Sequence, residues 1–146
     1  MSDSEKKLVI YTDGGARGNP GPAAIGVVIS DNPEIGIKAK HYSERIGKTT
    51  NNVAEYKAVI FALKKAKLLL GGQKAKEAEL EVRSDSEFVV RQLNGEYKLK
   101  DEDLKPFFIE IWNAKQDFKS VVFVHIFREY NSTADSLVNR ALDTLL

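Results

Sequence analysis

Four carboxylates stand where a folded chain could turn them to chemistry. Asp13 follows the apolar run Leu8, Val9, Ile10, Tyr11 and a single threonine. Glu55 opens a long helical pattern, one turn before Ala58 and Val59. Asp85 comes just after a stretch in which Ala78, Leu80 and Val82 alternate with Glu79, Glu81 and Arg83. Asp135 begins the last helical pattern, with Val138 and Leu142 three and seven residues on. A carboxylate beside an apolar face loses hydration, and several together repel one another. Such a cluster persists when it is protonated, paired with cations or wrapped around metal ions. Mixed Asp and Glu oxygens favour hard divalent ions, Mg2+ or Mn2+, over zinc. Two such ions about 4 Å apart can activate a water and stabilise the leaving oxygen of an in-line phosphodiester displacement.

Each acid also has a simpler use. Asn52-x-x-Glu55, Ser84-x-x-Glu87 and Ser132-x-x-Asp135 all have capping-box spacing, and Asp85 itself suits an N-cap. Asp13 resists that reading, because a glycine-rich loop and another strand pattern follow it.

The elements that must position these acids follow from periodicity. Residues 7–13 and 23–30 read as strands, joined by a constrained loop at 14–22 with four glycines and two prolines. Asp31-Asn32-Pro33 turns the chain, and 37–46 is expected as a third strand, antiparallel to its neighbour. Val59, Leu63, Ala66 and Leu70 then fall at helical spacing, and Gly71-Gly72 is expected to end that helix. Residues 78–83 read as a half-buried strand, 84–93 and 104–118 as helices, and 121–127 as a strand. Ala134, Leu137, Val138, Ala141, Leu142 and Leu145 mark a C-terminal amphipathic helix. The expected fold is α/β: a five-stranded mixed sheet, three antiparallel strands continued by parallel crossovers, with helices on both faces. The carboxyl ends of such strands are where open α/β sheets place ligands.

Composition sets the frame. The 146 residues carry 22 Lys and Arg against 21 Asp and Glu, a formal charge of +1. If bound ions balance the four acids, 22 cations face 17 anions, and a mildly basic surface results. Cysteine is absent, which excludes disulfides, thiol catalysis and thiolate zinc sites. The length suits one domain spanning 1–146. The N-terminal segment is polar and no apolar run approaches membrane-spanning length, so a cytoplasmic location is expected.

Four fragments in order carry a resemblance: Tyr11-Thr-Asp-Gly-Gly-Ala-Arg-Gly-Asn-Pro-Gly-Pro22, Thr49-Thr-Asn-Asn-Val-Ala-Glu-Tyr56, Ser84-Asp-Ser86 and Asn131-Ser-Thr-Ala-Asp135. Together they resemble type 1 ribonuclease H, in the shorter, archaeal-like branch that lacks a basic protrusion. The resemblance implies a ribonuclease H-like fold and a metal-dependent endonuclease that cuts the RNA strand of RNA–DNA hybrids. It implies two Mg2+ ions per site with substrate bound, Mn2+ being a substitute, held by Asp13, Glu55, Asp85 and Asp135. It assigns Gly14, Gly15, Ala16, Asn19 and Asn51 to the RNA strand and its 2′-hydroxyls, and Lys48 and Thr50 to a DNA-strand phosphate. Main-chain groups of a glycine-rich loop can approach a 2′-hydroxyl closely, and a cation with a hydroxyl suits a phosphate. A monomer is expected, acting on hybrid, with double-stranded RNA a further candidate duplex and no membrane partner.

Some positions depart from the pattern. Glu87 stands where a substrate-contacting Gln is common, and Asp101 falls near a phosphate-pocket Asn. Arg128, seven residues before Asp135, takes the place of a flexible-loop His and is expected to assist product departure. His125, between aromatic neighbours, is read as a structural histidine. Lys57, Lys64, Lys65 and Lys67 are read as a solvated helix face, and Trp112 with Phe107 and Phe108 as core. Two rival readings carry different chemistry: a non-catalytic duplex-binding module, and half of an actin-like ATP-binding machine.

Overall fold

The computed structural model describes residues 7–144. The polar segment at 1–6 and Leu145 of the C-terminal helical pattern lie outside the described residues. Nine principal elements follow in chain order: β1 (Lys7–Ala16), β2 (Gly21–Ile29), β3 (Lys40–Thr49), α1 (Asn51–Glu77), β4 (Glu79–Ser84), α2 (Glu87–Leu93), α3 (Lys105–Lys115), β5 (Ser120–His125) and α4 (Ser132–Asp143). The strands form one sheet in the order β3-β2-β1-β4-β5. β1 pairs antiparallel with β2 and parallel with β4, β2 pairs antiparallel with β3, and β4 pairs parallel with β5. The α/β mixed sheet expected from the sequence is the one observed.

Alternation along β1 sends Leu8 and Ile10 to one face, where they meet Val59, Leu63 and Ala66 of α1. α2 and α3 add Val89, Val90, Leu93 and Ile111 to this same core. α4 covers the opposite face, burying Val138, Ala141 and Leu142 with Ala24 of β2. Inside the larger core, the hydroxyl of wholly buried Tyr56 donates to Gln92 Oε1 at 2.8 Å, bolting α1 to α2. Tyr56→Phe strands that amide oxygen and is expected to cost about 1–3 kcal/mol, read as a lower midpoint in denaturant melts.

Several boundaries differ from expectation, each for a local reason. β1 continues through Gly14, Gly15 and Ala16, which pair with Ile25, Ala24 and Ala23. The true connection is only residues 17–20. The third strand begins at Lys40; Pro33–Ile35 forms a 3-10 turn and Ile37 makes an isolated bridge to Asn32. Gly71 does break the helix, at φ +80°, but the chain resumes helical turns to Glu77. None of the three expected capping boxes forms. Thr50 caps α1 by accepting from Val53 N, Ser86 caps α2 by accepting from Val89 N, and α4 has no side-chain cap.

One expectation about side chains is corrected, that Trp112 belongs to the core. Trp112 is 56% exposed on α3, while Phe107 and Phe108 pack partly against the core. His125 is exposed at the end of β5, edge-on to Phe127, beside Tyr11, Arg83 and Tyr130. The α1 lysines are more than a solvated face. Lys64 and Lys67 reach Glu110 and Asp117 at 3.8 and 3.2 Å, and Lys57 lies over the Phe107 ring, so they tie α1 to α3 and its C-terminal turn.

Candidate metal centre

The sheet delivers its acids to one edge. Thr12 of β1 is in register with Ser84 of β4, the last pair of this parallel ladder, so Asp13 and Asp85 emerge side by side where the pairing stops. Glu55 reaches them because residue 14 is glycine. A Cβ there would lie 2.3 Å from Ala54 C and 2.5 Å from Glu55 N, so β1 and α1 touch backbone to backbone. Gly14 N then donates to Glu55 Oε1 at 2.5 Å. Asp135 arrives from the first turn of α4.

One carboxylate oxygen from each of Asp13, Glu55 and Asp85 lies within 4.8 Å of the others. Asp13 and Glu55 are only 7% and 8% exposed. Asp135 stands outside this trio but hydrogen-bonds to Asp13. Among the described residues, no lysine or arginine is ion-paired with any of the four. Burial, with the charges of Asp85 and Asp135 beside it, pushes Asp13 up to about 8 from an ordinary 3.8. Burial, with Asp13 and Asp85 nearby, holds Glu55 well above the usual carboxylate range. Three converging acids without a cation partner, two of them with raised proton affinity, fit a hard divalent ion, which would compete with protons for their oxygens.

That reading fixes a pH dependence. Folded Asp13 keeps a proton that the unfolded chain releases near pH 4, so the folded state binds more protons between about 4 and 8. Stability of the metal-free protein is therefore expected to fall as pH rises through that window. Mg2+ or Mn2+ should raise the melting temperature more at pH 8 than at pH 5.5, as followed by circular dichroism. Melting temperatures insensitive to both pH and metal would contradict it.

A cleft of about 420 Å3 opens over the acids. All four carboxylates line it, as do Gly14, Gly15, Ala16, Asn51 and Arg128 of the sequence candidates. Asn19 sits behind them, its Oδ1 accepting from Asn51 N at 2.9 Å while Asn51 Oδ1 accepts from Ala16 N at 2.8 Å. This chain of bonds staples the 17–20 loop to the start of α1. Thr50 caps α1, Lys48 is exposed on β3 opposite Pro22, and neither lines the cleft. Glu87 lies outside it, ion-paired with Arg91 at 3.1 Å. Asp101 is turned into its own loop, accepting from Asp103 N at 2.9 Å.

Sequence reasoning passed over Ser86, Asn131 and Asn139. Ser86 lines the cleft while capping α2, and Asn139 donates to Asp135 Oδ2 at 3.4 Å. Asn131 is 1% exposed and donates to Asp85 Oδ2 at 3.0 Å. Its signal was its place one helical turn before Asp135.

Fold and donor set together define an open α/β protein with an all-oxygen carboxylate cluster at its sheet edge that could hold a cation. Comparison with known proteins narrows the class. The family described as reverse transcriptase-like matches residues 11–141. A bifunctional protein of Mycobacterium tuberculosis, Rv2228c, is 37% identical over 94% of this chain, and the chain spans only 36% of that relative's length. Ribonuclease HI of Halobacterium salinarum is 38% identical over 97% of this chain and 67% of its own. Among solved structures, LC11-RNase H1 in complex with RNA/DNA hybrid superposes with a TM-score of 0.84 at 51% identity, covering 93% of this chain and 96% of its own. The chain belongs to the ribonuclease H family. Among the described residues, no helix is long and apolar enough to cross a membrane.

Proposed function

We propose that the chain is one ribonuclease H domain that acts as a monomer, a metal-dependent endoribonuclease cutting the RNA strand of RNA–DNA hybrids. The observation that carries the reading is the trio of Asp13, Glu55 and Asp85, converging without a cation partner where the β1–β4 pairing ends. Its relatives named ribonuclease H, one of them solved on RNA/DNA hybrid, point to the same chemistry. Two Mg2+ ions, or Mn2+ in their place, would supply an activated water and neutralise charge at the scissile phosphate.

The chain's own residues do the rest. Asp13, Glu55 and Asp85 would hold the cations, with Asp135 completing the site from α4. Gly14, Gly15 and Ala16 offer backbone groups that can approach a 2′-hydroxyl, the group that separates RNA from DNA. Asn51 and Asn19 fix the height of that wall. Arg128 places a cation in the cleft, where it can draw a cleaved phosphate away. Lys48 and Thr50 are assigned to a DNA-strand phosphate, and Glu87 to a substrate contact.

A cleavage panel tests this: strand-labelled hybrid, double-stranded RNA, RNA–DNA junction and double-stranded DNA, each with Mg2+ and with Mn2+. The expected result is metal-dependent cutting within the RNA of the hybrid and an intact DNA strand. Binding of hybrid without cleavage in either ion would overturn it in favour of a non-catalytic module.

A further inference from the structure

Asn131 ends the 3-10 turn Arg128–Tyr130 and stands at the N-cap of α4. Asparagine at that position ordinarily turns its side-chain oxygen onto an N–H of the first turn. Here it does not: α4 has no side-chain cap, and Asn131 Oδ1 is buried without a partner. The side chain is spent elsewhere. Nδ2 donates to Thr12 O at 2.9 Å and to Asp85 Oδ2 at 3.0 Å. The amide can sit only this way round, since turning it over would press Oδ1 against two acceptors. Both hydrogens of one buried amide therefore join the residue before Asp13 to Asp85. The backbone carbonyl of Asn131 also accepts from Asp135 N at 3.0 Å.

We propose that Asn131 is a positioning residue that sets the spacing of Asp13, Asp85 and Asp135 for divalent-ion binding, giving up its helix cap to do so. The inference rests on the metal-dependent reading of the cluster. Groups that hydrogen-bond to metal-holding carboxylates typically affect metal affinity or activity by roughly 10–100-fold. Asn131 bonds to Asp85 directly, to the backbone of the residue before Asp13, and to the backbone of Asp135.

The test compares Asn131→Ala and Asn131→Asp with wild type. Aspartate keeps the shape and is an equally good N-cap, but it cannot donate from both positions. Mn2+ affinity of the free protein is measured by calorimetry, and kcat and KM on hybrid are measured separately. In both variants Mn2+ affinity is expected to fall at least about tenfold, and kcat about 10–100-fold, with KM for hybrid nearly unchanged. Asn131→Ser, which retains one donor, should recover part of the affinity. An Asn131→Asp protein that binds Mn2+ and cleaves like wild type would overturn the inference. So would lower thermal stability with unchanged Mn2+ affinity. A wild type that binds Mn2+ but leaves hybrid intact would overturn the cleavage reading alone, and the affinity loss in the variants would still support Asn131 as proposed.

Discussion

Asp13→Asn is expected to lower hybrid cleavage by at least about a thousandfold while the metal-free protein melts at a higher temperature than wild type. Loss of a ligand from the proposed metal centre would remove on the order of 4 kcal/mol of transition-state stabilisation, and each 1.36 kcal/mol is tenfold in rate. The stability gain has the same physical source. Asp13 is buried beside Asp85 and Asp135, which is why its proton is held up to about 8. An amide in its place needs no proton and repels no neighbour. Relief of about 1 kcal/mol would raise the midpoint by roughly 3 °C in a domain of this size. Asp85→Asn should lose cleavage similarly, since its oxygen still accepts from Asn131 and the fold is preserved. Initial rates and melts on the same preparations check both. A variant that is inactive only because it is unfolded would contradict the account.

Gly26→Ala is expected to have the largest effect on stability. β2 meets α4 at this glycine, and a Cβ would lie 2.2 Å from Ala134 O and 2.9 Å from Leu137 Cβ. The helix must lift away from the sheet. That lift strains the bonds that seat α4 on β3, Ser43 Oγ to Leu137 O at 2.5 Å and Arg45 Nε to Ala141 O at 3.0 Å. Overpacking of this kind costs about 3 kcal/mol or more, close to 10 °C in melting temperature. Asp135 rides on the same helix, so the folded fraction should also lose cleavage and divalent-ion stabilisation. Gly14→Ala tests the other face, where α1 would be forced off β1 and Glu55 carried away from the cluster. Wild-type melting in either variant would show that the close approaches are not required.

Both glycines show where the sequence was legible and where it was not. The acid positions could be read because each lies at a change of period, from strand to loop or loop to helix, and such junctions gather at a sheet edge. Gly14 was read with the loop, since a glycine-rich run signals a turn. Its actual use, room for a helix backbone, depends on a contact 41 residues away that local pattern does not encode. β3 was misplaced because it lies at the sheet edge with no buried residue along its length, so apolar alternation gave no register. The capping boxes failed for a related reason. Glu55 and Asp135 had the right spacing, but tertiary partners, Gly14 N and Asp13, claimed their oxygens. Asn131 belongs with them: local pattern assigned it no role of its own, and only the return of α4 to β1 and Asp85 revealed its bonds.

The most direct measurement is cleavage of RNA-labelled hybrid by metal-stripped protein before and after Mg2+ is restored, wild type beside Asp13→Asn. Wild type should be silent without the ion and cut the RNA strand once it is added, while Asp13→Asn stays silent at every Mg2+ concentration. Cutting without a divalent ion, or restored cutting by Asp13→Asn at wild-type rate, would contradict the assignment of the acid cluster as the catalytic metal centre.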